Sequence, residues 1–239
     1  MPRPVLALLG ACALLVSACG SGGSQTASST SSGTSATTQS APASDAALPS
    51  GCRRVAAPKP KKARERRPAT RLANGKAWTV ELQTNCGRIA IRLANGRAPK
   101  TASSFAGLVR RGFYDGLTFH RIAGDPASGP FVIQGGDPLG SGLGGPGYSV
   151  VEAPPRGTRY TRGTVAMAKT ATEAPGTSGS QFFIVTAADA GLPPEYALVG
   201  RVSGGEDAVQ RIASVRTDGQ EQPVAPVVIE KATVSGSGS

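Results

Sequence analysis

Residues 119–137 read FHRIAGDPASGPFVIQGGD, and the character of the whole chain follows from this stretch. Two short apolar runs surround one arginine and one glutamine, and a Gly-Gly pair favours a turn after the second run. Strand alternation predicts Phe119 and Arg121 on one face of the first run, with His120 and Ile122 on the other. A guanidinium flanked by aromatic residues requires an acceptor that the strand itself does not supply. We therefore expect two paired strands that present Arg121 for something other than core packing.

Three further blocks follow this stretch in order along the chain. The full set is FHRI with FVIQGGD (119–122 and 131–137), GGPGY (144–148), TVAMA (164–168) and GSQFFI (179–184). In this order and at this spacing the blocks resemble the cyclophilins, the peptidyl-prolyl cis/trans isomerases, and the resemblance covers residues 78–234. It implies catalysed rotation about X-Pro bonds. It also implies a mainly β fold, a closed eight-stranded antiparallel barrel capped by two short helices.

The pattern of strands and helices favours the same fold class. About eight short strands and two helices are predicted, without the strand–helix alternation that is typical of parallel sheets. Pro99 opens the first helix and Gly112 ends it, because proline suits a first turn and glycine a helix end. Pro223 and Pro226 confine the start of the last strand to an edge. The predicted strands are 78–82, 88–93, the two runs above, 165–168, 182–185, 198–202 and 224–234, and the second helix is 206–212.

The first 18 residues are typical of an export signal. After Arg3, the apolar run from Val5 to Ala18 is too short to span a bilayer and suits a signal peptide. The run leads into Cys19 and a glycine, which resembles a bacterial lipoprotein signal in which Cys19 becomes lipidated. Ordinary cleavage, with Cys19 uninvolved, is the alternative. We expect an exported protein that is lipid-anchored to the bacterial cell membrane on its extracytoplasmic face.

Three segments are expected after the signal peptide. Residues 19–50 are nearly all small or polar, which predicts a flexible tether, and 51–75 form a basic, proline-containing linker before an isomerase domain at 76–239. Residues 53–71 hold nine bases against one acid, whereas the chain from Leu72 onward carries only +3 of the net charge of +11. The linker is either a solvated spacer or a segment attracted to anionic head groups or wall polymers. Because the domain itself is nearly balanced, we expect no nucleic-acid partner.

Two cysteines remain in the mature chain besides Cys19. Outside the cytoplasm, Cys52 and Cys86 are expected to form a disulfide that pins the basic segment to the second strand. Closing a loop of this length stabilises a fold by roughly 3–4 kcal/mol. Two thiols and a single histidine do not suffice for a Cys/His metal site, so no metal is expected. No cofactor is expected either, because isomerisation breaks no bond.

The resemblance also implies roles for individual residues. Arg121 matches the family's catalytic arginine, which donates to the prolyl nitrogen of the twisted amide. His120 invites an acid/base role but is expected to face away from Arg121. Phe182 is expected in the core, because alternation separates it from Phe183. The expected substrate-binding positions are the apolar pocket of Phe131, Val132, Phe183, Leu192 and Tyr196, the strand edge at Ala168 and Lys169, and the polar residues Gln134 and Gln181.

Three features depart from the family pattern. The loop from Ala123 to Pro130 is longer than in the compact members, and either shifts Phe131 or bulges into solvent. Gly191 stands where many eukaryotic members carry tryptophan, which argues against tight cyclosporin binding. Lys169 replaces a usual asparagine, which is expected to alter substrate preference.

Three functions are compared on this basis. The first is a prolyl isomerase that assists the folding of exported proteins, with their proline-containing segments as partners. The second is a Pro-peptide-binding chaperone module with weak or no catalysis, which the long loop and Lys169 motivate. The third is a surface interaction protein whose basic linker matters most. A monomer is expected in each case.

Overall fold

A computed structural model describes residues 48–125 and 127–237 of the chain. The predicted signal peptide at 1–18, the predicted lipidation site Cys19 and the predicted tether as far as residue 47 lie outside the described residues. Within the described part, no helix has both the length and the apolar character needed to cross a membrane. The elements in chain order are β1 (Ala77–Thr84), β2 (Gly87–Leu93), α1 (Pro99–Arg110), β3 (Leu117–Asp125), β4 (Gly129–Asp137), β5 (Val150–Val151), β6 (Thr164–Met167), β7 (Thr177–Ser178), β8 (Phe182–Val185), β9 (Leu198–Gly204), α2 (Glu206–Ala213) and β10 (Val228–Ser237).

Eight of the ten described strands close into an antiparallel barrel. Their order around the barrel is β1-β10-β3-β4-β8-β6-β9-β2, and the pairing of β2 with β1 closes the ring. The other two strands, β5 and β7, form a small sheet of their own. The predicted fold class, a mainly β eight-stranded antiparallel barrel with two helices, is confirmed. The small sheet is not predicted, because strands of two residues are too short to show alternation.

Alternation decides which side chains fill the barrel. On β8, Phe182 and Ile184 belong to the interior cluster, whereas Phe183 and Val185 join a second apolar cluster outside it. Helix α1 adds Phe105 to the interior, where its ring packs edge-on against Phe182 with the centroids 5.4 Å apart. Burying a ring of this size contributes about 1.5–3 kcal/mol. Phe182 is therefore a core residue, as predicted, and Phe183 is left for the outer surface.

The last strand begins later than predicted. β10 starts at Val228 rather than at Val224, and Pro223 and Pro226 precede it. Proline has no N–H to give to a strand ladder, and β10 is paired on both sides, with β1 and with β3. The prediction of an edge position was wrong, because a strand inside a closed barrel has no edge that accepts proline.

The segment from Ala123 to Pro130 is the end of a β-hairpin and not a long loop. β3 and β4 continue until Asp125 and Gly129 stand opposite each other in the ladder. Asp125 stabilises the turn, because its Oδ1 accepts hydrogen bonds from Ala127 N at 2.8 Å and Ser128 N at 3.2 Å. The expectation of a loop was wrong: the additional residues lengthen two paired strands.

Residues 48–75, which we call the N-terminal arm, lie against the barrel. The arm contains no helix or strand, in keeping with the extended form expected of it. Lys61 N donates a hydrogen bond to Pro138 O at 2.8 Å, and the buried Leu72 belongs to the interior cluster. Leu72 N also donates to Ser103 Oγ of α1 at 2.9 Å. Apart from the disulfide, the sequence does not predict that the arm lies on the barrel, because composition does not reveal backbone hydrogen bonds to distant carbonyls.

The arm is tied to the turn between β1 and β2. Cys52 and Cys86 form a disulfide with an S–S distance of 2.11 Å. Beside it, Arg53 N donates to Asn85 O at 2.7 Å, and the Arg53 guanidinium pairs with Glu230 at 2.6 Å. Basic residues of the arm therefore hold it on the domain through acceptors that the barrel provides.

Candidate active site

A solvent-open groove of about 460 Å³ lies over β3, β4, β8 and the end of β6. It is lined by nine of the ten residues that the sequence predicts for catalysis or substrate binding. The tenth, Gln181, lines an adjoining cleft of about 540 Å³, which the groove meets at Gln134, Ala168 and Lys169. The predicted residues that meet in the groove are Arg121, Phe131, Val132, Gln134, Ala168, Lys169, Phe183, Leu192 and Tyr196.

A β-bulge turns Arg121 into the groove. In the β3–β4 ladder Phe119 stands opposite Gly135, whereas Arg121 stands opposite Gln134, so that His120 is the additional residue. Phe119 therefore stays in the interior cluster, while 43% of the Arg121 side chain is exposed. The prediction that Phe119 and Arg121 share a face was wrong, because regular alternation does not foresee a bulge.

Two side chains hold the Arg121 guanidinium. Its Nε donates to Glu221 Oε2 at 2.7 Å, and its Nη1 donates to Gln134 Oε1 at 3.1 Å. Gln134 is held in turn, because its Nε2 donates to Gln181 Oε1 at 2.9 Å, and Gln181 Nε2 donates to carbonyls of the glycine-rich loop at 142–144. Within the described part of the chain, Nη2 of Arg121 has no hydrogen-bond partner. The guanidinium is thus oriented while one of its nitrogens stays free to donate.

Glu221 is the site residue that sequence reasoning misses. Its φ is +63°, and no other non-glycine residue among those described has a positive φ. Such a conformation costs of order 1–3 kcal/mol and persists only where the surroundings impose it. Ile122 N donates to its carbonyl at 2.9 Å, Gly124 N to its Oε1 at 3.2 Å, and Arg121 to its Oε2. The sequence carries no signal for this contact, since 100 positions separate Glu221 from Arg121.

The apolar side of the groove consists of Phe131, Phe183, Leu192 and Tyr196. Phe183 packs edge-on against Tyr196, with ring centroids 5.3 Å apart and planes at 87°. The buried Tyr160 supports this wall: its hydroxyl donates to Tyr196 O at 2.7 Å and accepts from Tyr196 N at 2.9 Å. Burial raises the pKa of Tyr160 to about 12, so the phenol stays protonated and both hydrogen bonds persist. This supporting role of Tyr160 is a second feature that the sequence does not predict.

Lys169 is held at one rim of the groove. Its ammonium pairs with Glu195 at 3.1 Å and lies 5.8 Å from the ring centre of Tyr196, and only 4% of its side chain is exposed. Its charge is therefore compensated locally by Glu195. Ala168 N donates to Gln181 O at 2.9 Å, so this N–H is already occupied. A peptide that pairs with this edge must use other backbone groups, such as the Ala168 carbonyl.

His120 is buried, with 9% of its surface exposed, yet it contributes to the groove lining. The expectation that it faces away from Arg121 was therefore only partly right, because the bulge brings both residues to the same side of the strand. Burial lowers the pKa of the His120 imidazole below its usual value. The negative charge of Asp137 acts to raise the pKa but is the smaller effect. The ring is therefore neutral near pH 7.

The free energy of unfolding is expected to fall as the pH drops below about 6.5. In the unfolded chain His120 binds a proton near that pH, whereas the folded state lowers its pKa, so the unfolded state binds more protons there and gains stability. His120→Asn removes this contribution. Thermal melts of both proteins at about pH 7.5 and 5.5 test the prediction. Because the sequence has one histidine, NMR titration of its imidazole reports the pKa of His120 directly. An equal loss of stability on acidification in the wild type and in His120→Asn contradicts the prediction.

The family model described as "Cyclophilin type peptidyl-prolyl cis-trans isomerase/CLD" matches residues 79–234. Among curated relatives, human peptidyl-prolyl cis-trans isomerase-like 1 is 41% identical over 161 residues, which are 66% of this chain and 92% of that protein. Peptidyl-prolyl cis-trans isomerase A of Mycobacterium tuberculosis is 37% identical over 175 residues, 66% of this chain and 92% of that protein.

Solved structures agree with these relatives. A cyclophilin type peptidyl-prolyl cis-trans isomerase of Cryptosporidium parvum superposes with a TM-score of 0.60 at 29% identity, over 66% of this chain and 98% of that one. A second structure of that protein, in the presence of the dipeptide Ala-Pro, has a TM-score of 0.59 at 28% identity.

Proposed function

We propose that Arg121 is the group by which this chain, a member of the cyclophilin-type peptidyl-prolyl cis-trans isomerase family, catalyses rotation about X-Pro bonds. The chain is an isomerase of this family. The observation that carries the proposal is the joint position of the Arg121 guanidinium and the apolar wall of Phe131 and Phe183 in one groove. A proline ring and its amide nitrogen require these two surfaces side by side.

The reaction requires selective binding of a twisted amide. Rotation about an X-Pro bond crosses a barrier of about 18–20 kcal/mol and takes tens to hundreds of seconds without catalysis. In the half-rotated state the amide loses resonance, and the prolyl nitrogen becomes pyramidal and gains a lone pair. A donor aimed at that nitrogen binds the half-rotated state more tightly than either planar form, which is the condition for acceleration.

Arg121 suits this task because it is oriented and permanently charged. Glu221 and Gln134 engage Nε and Nη1, and the unpartnered Nη2 supplies the donor. A preorganised donor of this kind contributes about 3–4 kcal/mol to the stability of the transition state. The remaining acceleration is assigned to the pocket, which holds the proline ring while the preceding residue rotates.

We also propose that the enzyme acts on exported proteins and is anchored by a lipid on Cys19. The apolar run ahead of Cys19 supports export, and the Cys52–Cys86 disulfide supports an oxidising compartment, where such bonds persist. In a bacterial host, fractionation of the wild type and of Cys19→Ser tests the anchor. We expect the wild type in the membrane fraction and the variant released; equal retention of both contradicts lipidation at Cys19.

Two observations disfavour the chaperone alternative. The segment at 123–130 forms a hairpin that leaves Phe131 in the groove, and Lys169 is held by Glu195 at the rim. The test is acceleration of cis/trans exchange in a proline-containing peptide, measured by exchange NMR at substoichiometric enzyme. Saturable binding of the peptide without acceleration contradicts the proposed function and supports a binding module.

Glu221→Gln is expected to lower kcat about tenfold with little change in KM, because an amide can keep a hydrogen bond to Arg121 but loses the charge assistance that orients it. Glu221 acts through Arg121 and is therefore a positioning residue. The Nε resonance of Arg121 should shift in this variant, which a role in folding alone does not predict. Glu206→Gln, in the first turn of α2, is the matched control. An unchanged kcat in Glu221→Gln contradicts the assignment.

A further inference from the structure

A third cavity, of about 420 Å³, lies on a different wall of the barrel from the groove. None of its described lining residues also lines the groove. Four arginines line it: Arg92 on β2, Arg201 on β9, Arg97 in the loop before α1, and Arg159 in the loop before β6. We call it the arginine cavity. Four separate parts of the chain thus bring positive charge to one concave surface.

The charges in the arginine cavity are poorly compensated. Arg92 and Arg201 are direct partners on adjacent antiparallel strands, an arrangement in which like charges destabilise the sheet. No described acidic residue lines the cavity, and the guanidiniums of Arg92 and Arg97 have no hydrogen-bond or ion-pair partner in the described part of the chain. Arg159 is paired with Asp189. The fold therefore holds two like charges opposite each other with no described acidic residue in the cavity to offset them.

Arg201 is oriented by neutral acceptors. Its Nη2 donates to Arg162 O at 2.7 Å, and its Nη1 lies 3.4 Å from the hydroxyls of Thr161 and Thr164. Such contacts fix a guanidinium without neutralising it. The charge of Arg201 therefore stays available to an anion that lies between Arg201 and its cross-strand partner Arg92.

The floor of the cavity is apolar. Leu93 and Leu198 line it and are buried, with 5% and 7% of their surfaces exposed. An apolar floor lowers the local dielectric response, which strengthens an arginine–anion pair relative to the same pair on an open surface. No described lining residue is aromatic, so a nucleic acid base finds no ring on which to stack.

We propose that the arginine cavity binds a phosphate group, as a monoester, a diester or the free ion. Three guanidiniums from different elements can share the oxygens and charge of one phosphate, whereas a carboxylate has two oxygens and a single charge and satisfies one arginine. The site is distinct from the isomerase groove, so binding is independent of the proposed role of Arg121.

The test measures binding of two probes to the full chain by calorimetry at constant ionic strength set with chloride. The probes are inorganic phosphate and glycerophosphoglycerol, a soluble phosphodiester headgroup. Arg92→Gln/Arg97→Gln is expected to raise Kd roughly tenfold or more, because it removes two charge-assisted donors. Lys59→Gln/Lys62→Gln removes the same charge from the N-terminal arm and is expected to leave Kd unchanged.

The variants also separate binding from folding and catalysis. Without phosphate, Arg92→Gln/Arg97→Gln should melt no lower than the wild type, since the repulsion between Arg92 and Arg201 is relieved, and its isomerase activity should be unchanged. Loss of inorganic phosphate binding in this variant supports a site for free phosphate, and selective loss of the diester supports a headgroup site. The proposal is overturned if the wild type binds neither probe, if both proteins bind alike, or if the control variant loses binding equally.

Discussion

Arg121→Ala is expected to lower kcat/KM for a proline-containing peptide by roughly 10²–10³-fold, the usual cost of removing one preorganised donor from a charge-stabilising site. No other described lining residue supplies a free cation in place of the guanidinium: His120 is buried and neutral, and Lys169 is held by Glu195. The apolar wall remains, so peptide binding should weaken far less than turnover. Arg121→Lys should recover part of the loss, since an ammonium restores charge without the geometry that Glu221 and Gln134 impose.

Exchange NMR on one peptide measures both rate and affinity for these variants. Arg88→Ala is the matched control, because Arg88 is also an exposed strand arginine in an ion pair, with Glu81 at 3.5 Å, but lines none of the three cavities described above. It should retain full activity. Wild-type activity in Arg121→Ala would remove Arg121 from the mechanism and leave the pocket alone to account for catalysis.

Removing the disulfide by Cys52→Ala/Cys86→Ala is expected to lower the free energy of unfolding by about 3–4 kcal/mol. The bond closes a loop across a sequence separation of 34, and its loss restores the freedom of the N-terminal arm in the unfolded chain. For a folded unit of this size the melting temperature should fall by roughly 6–16 °C.

Reduction of the wild type is the control for this prediction. The reduced wild type should melt close to the double variant. The melting temperature of the double variant, which lacks the disulfide, should not change on addition of reductant. Alanine is preferred to serine because Cys86 is fully buried, and a hydroxyl there adds an unpaired polar group. Equal melting temperatures for the oxidised wild type and the variant would show that the remaining contacts of the arm suffice to hold it.

The sequence predicts the strands well because their signal is local. Alternation places Phe182 in the interior and Phe183 outside it, and the structure agrees. The same alternation fails at His120, where a bulge inserts one residue and turns Arg121 outward from the strand. A bulge depends on how two strands pair, so a pattern read along one strand does not contain it.

The parts of the site that escape prediction depend on distant contacts. Glu221 reaches Arg121 from a loop 100 positions away, and Tyr160 supports Tyr196 from the segment before β6. The N-terminal arm is similar, because its composition indicates a spacer while backbone groups such as Lys61 N find acceptors on the barrel. Motif order indicates which residues share a groove; it does not indicate what orients them.

The closed ring of strands has a consequence for the proposed action on exported chains. Every barrel strand that the structure describes pairs with a neighbour on each side, so none has a wholly unpaired edge, although β10 meets β3 only at Val228 and Ile229. An extended segment therefore finds no wholly unpaired strand at which to join the barrel as a ninth strand. Under the proposed function, the enzyme binds a proline segment in the groove and releases it, instead of incorporating it into the ring of strands.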